Sequence, residues 1–279
     1  DRRLNVMKIE GVKFETGVTA GKDIEPDKLL AAYDAVCIAV GAGQPRDLPI
    51  EGRQLKGIHF ALELLQQQNR IVAGATVSES ARLTARGKNV LVIGGGDTGS
   101  DCVGTSVRHR AALVTQIEIM PKPPETCNPD TPWPLWPNVL RTSSSHLEGC
   151  ERRWNLASKR FIGDSSGNVT GVEVVHVEWT KSPDGRLAMK ETDKTEILKA
   201  DMILLSMGFV HPVHEGLLDR LKVKYDNRGN VATTAPYSTS IDKIFVAGDA
   251  MTGASLVVRA IDSGRKAATA IDNYLNRKV

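Results

Sequence analysis

The sequence predicts an α/β fold made of two domains with parallel sheets, of which the first is incomplete. Three observations support this. A short apolar run, Val90–Ile93, breaks into three glycines and is followed by a helical pattern from about Thr98. A second strand pattern, ending in glycine, occurs twice. A third strand ends in Gly248-Asp249 and precedes a long helix. Strands that alternate with helices in this way are typical of parallel sheets.

The glycines after the first strand have the spacing Gly94-x-Gly96-x-x-Gly99. In a Rossmann-like dinucleotide-binding domain one such glycine makes the turn, one lets a pyrophosphate approach the backbone, and one packs the helix on the strand. The helix N-terminus adds free N–H groups and a partial positive charge. The alternative is a plain glycine-rich turn between strand and helix. The predicted nucleotide ligands are Gly94, Gly95, Gly96, Asp97, Thr98 and Gly99.

The repeated pattern consists of an aspartate, six mostly apolar residues, a glycine, three residues and a proline. It runs from Asp34 to Pro45 with its glycine at Gly41, and from Asp201 to Pro212 with its glycine at Gly208. Such a strand suits the last strand of a dinucleotide-binding domain, where glycine lets the chain pass close to the ligand. Two closing strands indicate two domains, yet only one opening glycine motif is present. We therefore expect the chain to begin inside its first domain.

The remaining patterns place the other elements along the chain. We expect residues 1–75 to form part of the first domain, 76–208 the second domain, and 209–279 the return to the first. A linker is expected at Asn69–Ala75, and Pro121–Pro137 reads as a proline- and tryptophan-rich surface loop. Predicted helices are Leu4–Glu10, Pro26–Tyr33, Ile58–Gln67 and Leu256–Leu275, and predicted strands are Val12–Val18, Leu113–Ile119 and a pair within Gly171–Leu198 around the turn Ser182–Gly185.

The return segment carries a second candidate cofactor site. A carboxylate at Asp249 could accept hydrogen bonds from a flavin ribityl chain, and the next helix could direct its N-terminus at the pyrimidine edge of the flavin. By itself, Gly-Asp before a helix is more often an ordinary capped turn. The paired closing strands in the same chain favour the flavin interpretation. The predicted ligands are Gly248, Asp249, Gly253, Ala254 and Ser255, with Gly41 from the first closing strand.

Composition agrees with an enzyme core and excludes several other classes. The chain has 279 residues, 41% hydrophobic content and a net charge of +3 with both signs mixed, so neither a nucleic-acid-binding face nor a polybasic membrane patch is predicted. No apolar run reaches the length of a membrane span, and no signal peptide opens the sequence. The four cysteines include no C-x-x-C pair, so no redox disulfide, zinc or iron–sulfur site is predicted within the chain. A cytoplasmic location fits best.

Four segments resemble one known family, the small (β) subunits of glutamate synthase. They are Ala39–Pro49, Val92–Cys102, Arg141–His146 and Phe245–Asp249, and the resemblance extends over essentially the whole chain. It implies a fold like that of the pyridine nucleotide-disulfide reductases, with NADPH or NADH in one domain and FAD in the other. It further implies that electrons pass through iron–sulfur clusters to a large (α) subunit, which makes glutamate from glutamine and 2-oxoglutarate.

This chain departs from the family pattern in one respect. The family's cluster cysteines and its first FAD motif would lie ahead of residue 1, so the FAD site is expected to be incomplete here. Two alternatives stay open: a related electron-input subunit of another reductase complex, and a fragment that binds nucleotide without catalysis. The missing C-x-x-C argues against the flavin disulfide reductases themselves.

The choice between NADPH and NADH is left open by the residues after the second strand. A 2′-phosphate usually requires arginine there, whereas this chain has Glu118-Ile-Met-Pro-Lys122. Glu118 could hold a ribose diol and favour NADH, and Lys122 or Arg141 could restore NADPH binding. Each of these three side chains could also be a solvated charge. The Arg152-Arg153 pair is interpreted as an exposed charge cluster.

The histidines are not predicted to be catalytic or to bind metal. His146 and its neighbouring serines suggest a catalytic triad, but no Gly-x-Ser-x-Gly turn is present, and hydride transfer between two cofactors needs no side-chain nucleophile. His211 and His214 flank Pro212, and the sequence identifies no third ligand for a metal there. No catalytic side chain and no metal site are therefore expected.

Overall fold

The computed structural model describes residues 1–126, 131–135, 138–182 and 187–277. Within these residues the helices are α1 (Arg2–Ile9), α2 (Pro26–Ala32), α3 (Ala61–Val72), α4 (Asp97–Arg108), α5 (Ser144–Leu147), α6 (Leu217–Leu221), α7 (Asp249–Thr252) and α8 (Val257–Asn276). The strands are β1 (Val36–Ile38), β2 (Gln44–Pro45), β3 (Ile58–Phe60), β4 (Asn89–Ile93), β5 (Leu113–Ile117), β6 (Glu151–Arg153), β7 (Leu156–Gly163), β8 (Val169–Lys181), β9 (Leu187–Lys199), β10 (Met202–Leu205), β11 (Phe209–His211) and β12 (Ile244–Val246).

The chain forms two compact units. Unit 1 comprises residues 1–44 and 209–279, and unit 2 comprises residues 45–208. After Gly208 the chain returns to unit 1. The predicted boundary at 75/76 is wrong, because β3 pairs with β10 and α3 packs against α4, both within unit 2. The segment predicted as a linker therefore includes the end of α3.

Unit 2 is built on a five-stranded parallel sheet with the order β3-β10-β4-β5-β6. Its central strands β4 and β10 are continuous apolar runs because both faces of the sheet are covered. Val90, Val92, Met202 and Leu204 pack on one side with residues of α3 and α4. Leu91, Ile93, Ile203 and Leu205 pack on the other side with β7 and β8.

An antiparallel sheet of β7, β8 and β9 covers that second face. Long strands within Gly171–Leu198 were predicted and are found, as β8 and β9. Positions 183–185 of the predicted turn lie outside the described residues, as do 127–130 and 136–137 of the predicted proline- and tryptophan-rich loop. The described parts of that loop contain neither helix nor strand.

Unit 1 contains a parallel pair, β1 and β12, with Ile38 opposite Val246. One core cluster joins these strands to α6 and to the buried side chains Val223 and Val231. The helix α8 packs against β12, and Tyr274 contacts the Phe245 ring edge-on. β2 and β11 form a separate two-stranded ribbon.

Two predicted elements are wrong in detail. The residues Val12–Val18 do not form a strand, since among the described residues no strand pairs with them. The predicted helix Ile58–Gln67 begins three residues later, at Ala61, because Ile58–Phe60 is a strand of the sheet. Glu63 accepts the Phe60 N–H at 3.0 Å and so marks the true helix start. The other predicted helices agree with α1, α2 and α8 to within about two residues.

Candidate functional site

Gly94, Gly96 and Gly99, in the turn between β4 and α4, have different structural roles. Gly94 has φ +119°, and a Cβ there would overlap the carbonyl oxygen of Ser206. A Cβ on Gly99 would overlap the carbonyl oxygen of Gly94. Gly96 has an ordinary φ of −79°, and within the described part of the chain no atom lies within 4 Å of an added Cβ. Two glycines are therefore needed for close packing, and Gly96 leaves an open face on the backbone.

The open face lies at the start of a twelve-residue helix. Gly96 is the N-cap of α4 and supplies no side-chain acceptor, so the cap leaves the first-turn N–H groups, including those of Asp97 and Thr98, available to a ligand. These groups and the helix dipole favour an anion at this position. The geometry matches what a dinucleotide pyrophosphate requires.

Glu118 lies beside this turn at the carboxyl end of β5. Its Oε2 accepts the Gly95 N–H at 2.6 Å, and its Oε1 accepts the Met120 N–H at 3.2 Å. The carboxylate is thus fixed next to the glycine turn, where the ribose nearest a turn-bound pyrophosphate would lie. Glu118 is positioned to accept hydrogen bonds from a ribose diol.

A cleft of about 370 Å³ opens at this place in unit 2. Gly95 and Glu118 line one side, and the segment 138–141 lines another. Arg152, Arg153 and Trp154 complete the wall. The prediction that Arg152 and Arg153 form an exposed cluster is therefore wrong. Both are half-buried because they belong to β6, a sheet strand that the sequence patterns did not reveal.

The guanidinium groups of the cleft are held by neighbours within unit 2. Arg152 donates to the Arg141 carbonyl at 3.0 Å and to Thr142 Oγ1 at 3.3 Å, and it lies 5.1 Å from the centre of the Trp154 ring. Arg153 forms two hydrogen bonds with Glu196, at 3.0 and 2.5 Å. This contact raises the pKa of Arg153 and lowers the pKa of Glu196.

The two cations proposed from the sequence differ in position. Arg141 lines the cleft, as a nucleotide ligand should. Lys122 is paired with Glu125 at 3.1 Å, and its ammonium group lies 5.7 Å from the centre of the Trp154 ring. The sequence reasoning did not single out Gln116 or Trp154, which also line the cleft. Gln116 could have been singled out from the sequence, because it is a polar residue inside a mostly apolar strand.

The closing strands end alike in the two units. Gly208 follows β10 with φ +80°, and Gly41 follows β1 with φ +73°. At both positions no atom of the described residues lies within 4 Å of an added Cβ. The sequence repeat therefore corresponds to a repeated backbone geometry, in which a left-handed glycine leaves free space at the carboxyl end of a parallel strand.

The candidate flavin turn of unit 1 follows β12. Gly248, with φ +67°, donates its N–H to Ser263 Oγ at 2.8 Å. Asp249 begins the single-turn helix α7, and its Oδ1 accepts the Ser255 hydroxyl at 2.8 Å. Gly253 has φ +82°, and Ala254 and Ser255 are exposed before α8 begins. The turn thus presents a carboxylate and the start of a twenty-residue helix.

A buried polar atom lies beside the same turn. Asn230 is 1% exposed and its Nδ2 donates to Asp226 Oδ2 at 3.2 Å. Its Oδ1 has no hydrogen-bond partner among the residues that the structure describes, and it lies 3.6 Å from the position of a Cβ on Gly253. A buried acceptor without a partner is costly unless a donor is supplied from elsewhere. This turn is therefore suited to a ligand that carries donors, as a flavin does.

The described residues contain neither a metal-binding cluster nor a membrane-spanning helix. No group of three or more His, Cys, Asp or Glu side chains there is placed to hold a metal ion. His211 and His214 stack with ring centres 4.2 Å apart and donate to the carbonyls of Pro212 and Gly229. Among the helices of those residues, none has the length and apolar character needed to cross a bilayer.

The fold and the two glycine-lined turns define a dinucleotide-binding oxidoreductase. The chain belongs to the pyridine nucleotide-disulphide oxidoreductase family, whose profile matches residues 3–133 and 149–264. Within the family it is similar to glutamate synthase small chains, which confirms the resemblance seen in the sequence. The Mycobacterium tuberculosis glutamate synthase [NADPH] small chain is 46% identical over 99% of this chain and 56% of the relative.

Other relatives and solved structures agree with this assignment. The Saccharomyces cerevisiae glutamate synthase [NADH] is 44% identical over 98% of this chain and 13% of its own length. This chain spans about half the length of the small chains it matches. FprA from M. tuberculosis superposes with a TM-score of 0.69 at 17% identity, covering 93% of this chain and 68% of FprA. Thioredoxin reductase from T. acidophilum gives 0.54 at 20% identity, covering 85% and 64%. These two structures confirm the fold.

Proposed function

We propose that unit 2 binds NADH or NADPH at the glycine turn and that unit 1 contributes to an FAD site. The observation that carries the proposal is the open backbone face of Gly96 at the start of α4, beside the cleft lined by Glu118. A bound nicotinamide nucleotide supplies a hydride, and a bound flavin accepts it. The protein's own part is to bind and orient both groups, so no side chain is assigned a catalytic role.

Each ligand residue of unit 2 has a defined task in this proposal. Gly95 fixes the Glu118 carboxylate through its N–H. Gly96 lets the pyrophosphate reach the backbone, and the first turn of α4 donates N–H groups to it through Asp97 and Thr98. Gly94 and Gly99 hold strand and helix close together. Gly208 leaves space at the end of β10 for the ligand.

We propose that NADH is preferred over NADPH. The Glu118 carboxylate is fixed at the glycine turn by two backbone hydrogen bonds, and it would repel a 2′-phosphate while it accepts from a diol. Lys122 is engaged by Glu125, and Arg152 by backbone and hydroxyl oxygens. Arg141 on the cleft wall is the residue that favours the alternative, NADPH. Named relatives of both kinds, NADPH and NADH, are similar to this chain.

For the flavin we propose contacts from Gly41, Gly248, Asp249, Gly253, Ala254 and Ser255. The unpartnered Asn230 Oδ1 next to Gly253 supports a donor-bearing ligand. We propose that this site is incomplete: in the described part of unit 1, the sheet that carries the turn consists of β1 and β12, and the start of α8 exposes Val257, at 75%. The rest of the flavin site is proposed to come from another segment.

We propose that the whole protein is the electron-input subunit of glutamate synthase. It would pass electrons from NAD(P)H through FAD and iron–sulfur clusters held outside this chain to the large subunit, which forms glutamate from glutamine and 2-oxoglutarate. A cytoplasmic location is part of the proposal. The similarity to named small chains supports it. The competing assignments are an input subunit of another complex and a nucleotide-binding chain without catalysis.

Two measurements on the purified chain test these assignments. Calorimetric titration with NADH and NADPH should show one saturable site, with NADH binding more tightly. Reduction of a dye by NADH is then measured with and without added FAD. Binding without FAD-dependent reduction would favour the non-catalytic alternative. Absence of binding by both nucleotides would overturn the proposal for unit 2.

A further inference from the structure

The half-buried Ser143 and the buried His146 form a polar connection beside the glycine turn. Ser143 is the N-cap of α5, and its Oγ accepts the His146 N–H at 3.3 Å. In return, the Ser143 N–H donates to His146 Nδ1 at 3.1 Å. Ser143 Oγ also contacts Ser100 Oγ on α4. His146 is thereby fixed against the helix that begins at the glycine turn.

The other side of the imidazole reaches the glycine turn itself. His146 Nε2 lies 2.9 Å from Gln116 Oε1, and Gln116 Nε2 donates to the Gly94 carbonyl at 2.9 Å. Gln116 is 2% exposed and His146 9% exposed. Because the Gln116 NH2 group donates to the Gly94 carbonyl, the Gln116 Oε1 faces the imidazole and accepts a hydrogen bond from it. The imidazole must therefore carry its proton on Nε2.

The donor and acceptor order of this connection is consistent throughout. Nδ1 accepts from the Ser143 N–H and Nε2–H donates to Gln116, so the neutral imidazole satisfies both partners. Burial and the nearby Arg152 charge lower the pKa of His146, which keeps the neutral form at neutral pH. A buried polar network whose members are all satisfied is rigid.

This connection joins two walls of the nucleotide cleft. One wall is the glycine turn, held through Gln116 and Gly94. The other is the segment 138–141, whose last residue accepts from Arg152 and which is joined to Ser143 by the single residue Thr142. We propose that His146 is a positioning residue for nucleotide binding: it holds the glycine turn and the 138–141 wall at the spacing that the dinucleotide needs. This inference rests on the proposed function of unit 2.

Two substitutions separate this role from simple helix capping. In His146→Asn the shorter amide can still accept the Ser143 N–H but does not reach Gln116. In His146→Gln the longer amide can accept from Ser143 with its oxygen and donate to Gln116 with its nitrogen. We expect NADH affinity to fall about tenfold in His146→Asn, the size of one hydrogen bond between well-oriented groups. His146→Gln should bind within about threefold of wild type.

A matched control exists elsewhere in unit 2. His109 Nε2 forms the same kind of contact with Gln68 Oε1, at 2.8 Å, and neither residue lines the nucleotide cleft. His109→Asn should leave the NADH affinity unchanged. Melting temperatures of all three variants report whether any affinity change comes from a general loss of folding.

Calorimetric NADH titrations of the full 279-residue chain decide the matter. A tenfold loss in His146→Asn, recovery in His146→Gln and no effect in His109→Asn support the proposal. Wild-type affinity in His146→Asn overturns it, as does a His146→Gln variant as weak as His146→Asn. If the wild-type chain binds neither NADH nor NADPH, the proposed function of unit 2 fails and this inference fails with it.

Discussion

Replacement of Gly96 by valine separates ligand binding from folding. Gly96 has φ −79° and ψ −176°, an extended backbone that valine adopts readily, and an added Cβ meets nothing within 4 Å. The folded state therefore accommodates the side chain. Since valine is a poorer N-cap than glycine, we expect a loss of about 1 kcal/mol in the free energy of unfolding.

The effect on binding should be much larger. The valine side chain would occupy the open face through which a pyrophosphate reaches the first-turn N–H groups of α4. Hydrogen bonds to a charged group contribute about 1.5–3 kcal/mol each. Loss of two of them predicts about 3–6 kcal/mol, or at least a hundredfold weaker NADH binding. Isothermal titration calorimetry measures this directly, with a thermal melt of the same sample.

Two further glycines serve as controls. Gly264 lies in α8 with nothing near an added Cβ, so Gly264→Val tests for an unspecific effect of valine in unit 1. Gly94→Ala should instead unfold or strongly destabilise unit 2, because of its φ of +119° and the overlap with the Ser206 carbonyl. If Gly96→Val binds NADH as tightly as wild type, the reasoning about the glycine turn is refuted.

Three other predictions follow from the same structure. Glu118→Gln should reduce the preference for NADH over NADPH by about tenfold, whereas Arg141→Gln should weaken NADPH binding selectively. Equal effects on the affinities for both nucleotides would show that neither side chain contacts the ribose or its 2′-phosphate. In the folded chain the pKa values of His109 and His146 lie below the ordinary 6.5. Below about pH 6.5 the unfolded chain therefore binds more protons than the folded chain, and the free energy of unfolding falls as the pH drops. A melting temperature that rises on acidification through this range would contradict the prediction. The purified chain should retain FAD far below one equivalent, and Asp249→Ala should further weaken the binding of added FAD, both measured from the absorbance spectrum.

Sequence reasoning was most successful where the signal is local. The strand, the glycine turn and the start of α4 depend on consecutive residues, and the structure contains all three as expected. The repeat around Gly41 and Gly208 was also informative, because a left-handed glycine after an apolar strand leaves a distinct pattern. The family profile and the relatives confirm the fold class and the resemblance.

The errors arose where distant pairing decides the structure. Ile58–Phe60 is followed directly by a helical sequence pattern, and only its pairing with β10 makes it a strand. The same pairing places these residues in unit 2, which begins at residue 45. Likewise, Glu151–Arg153 is too short to be recognised as a strand, yet its pairing with β5 brings Arg152 to the cleft beside the glycine turn. Strand pairing over such separations is invisible to periodicity.

A crystal structure of the chain with bound NADH tests the central claim most directly. The account predicts the pyrophosphate over Gly95 and Gly96 at the start of α4, with the adenosine ribose hydroxyls bonded to the Glu118 carboxylate. A dinucleotide bound away from this turn, with the Gly96 face empty, would contradict it.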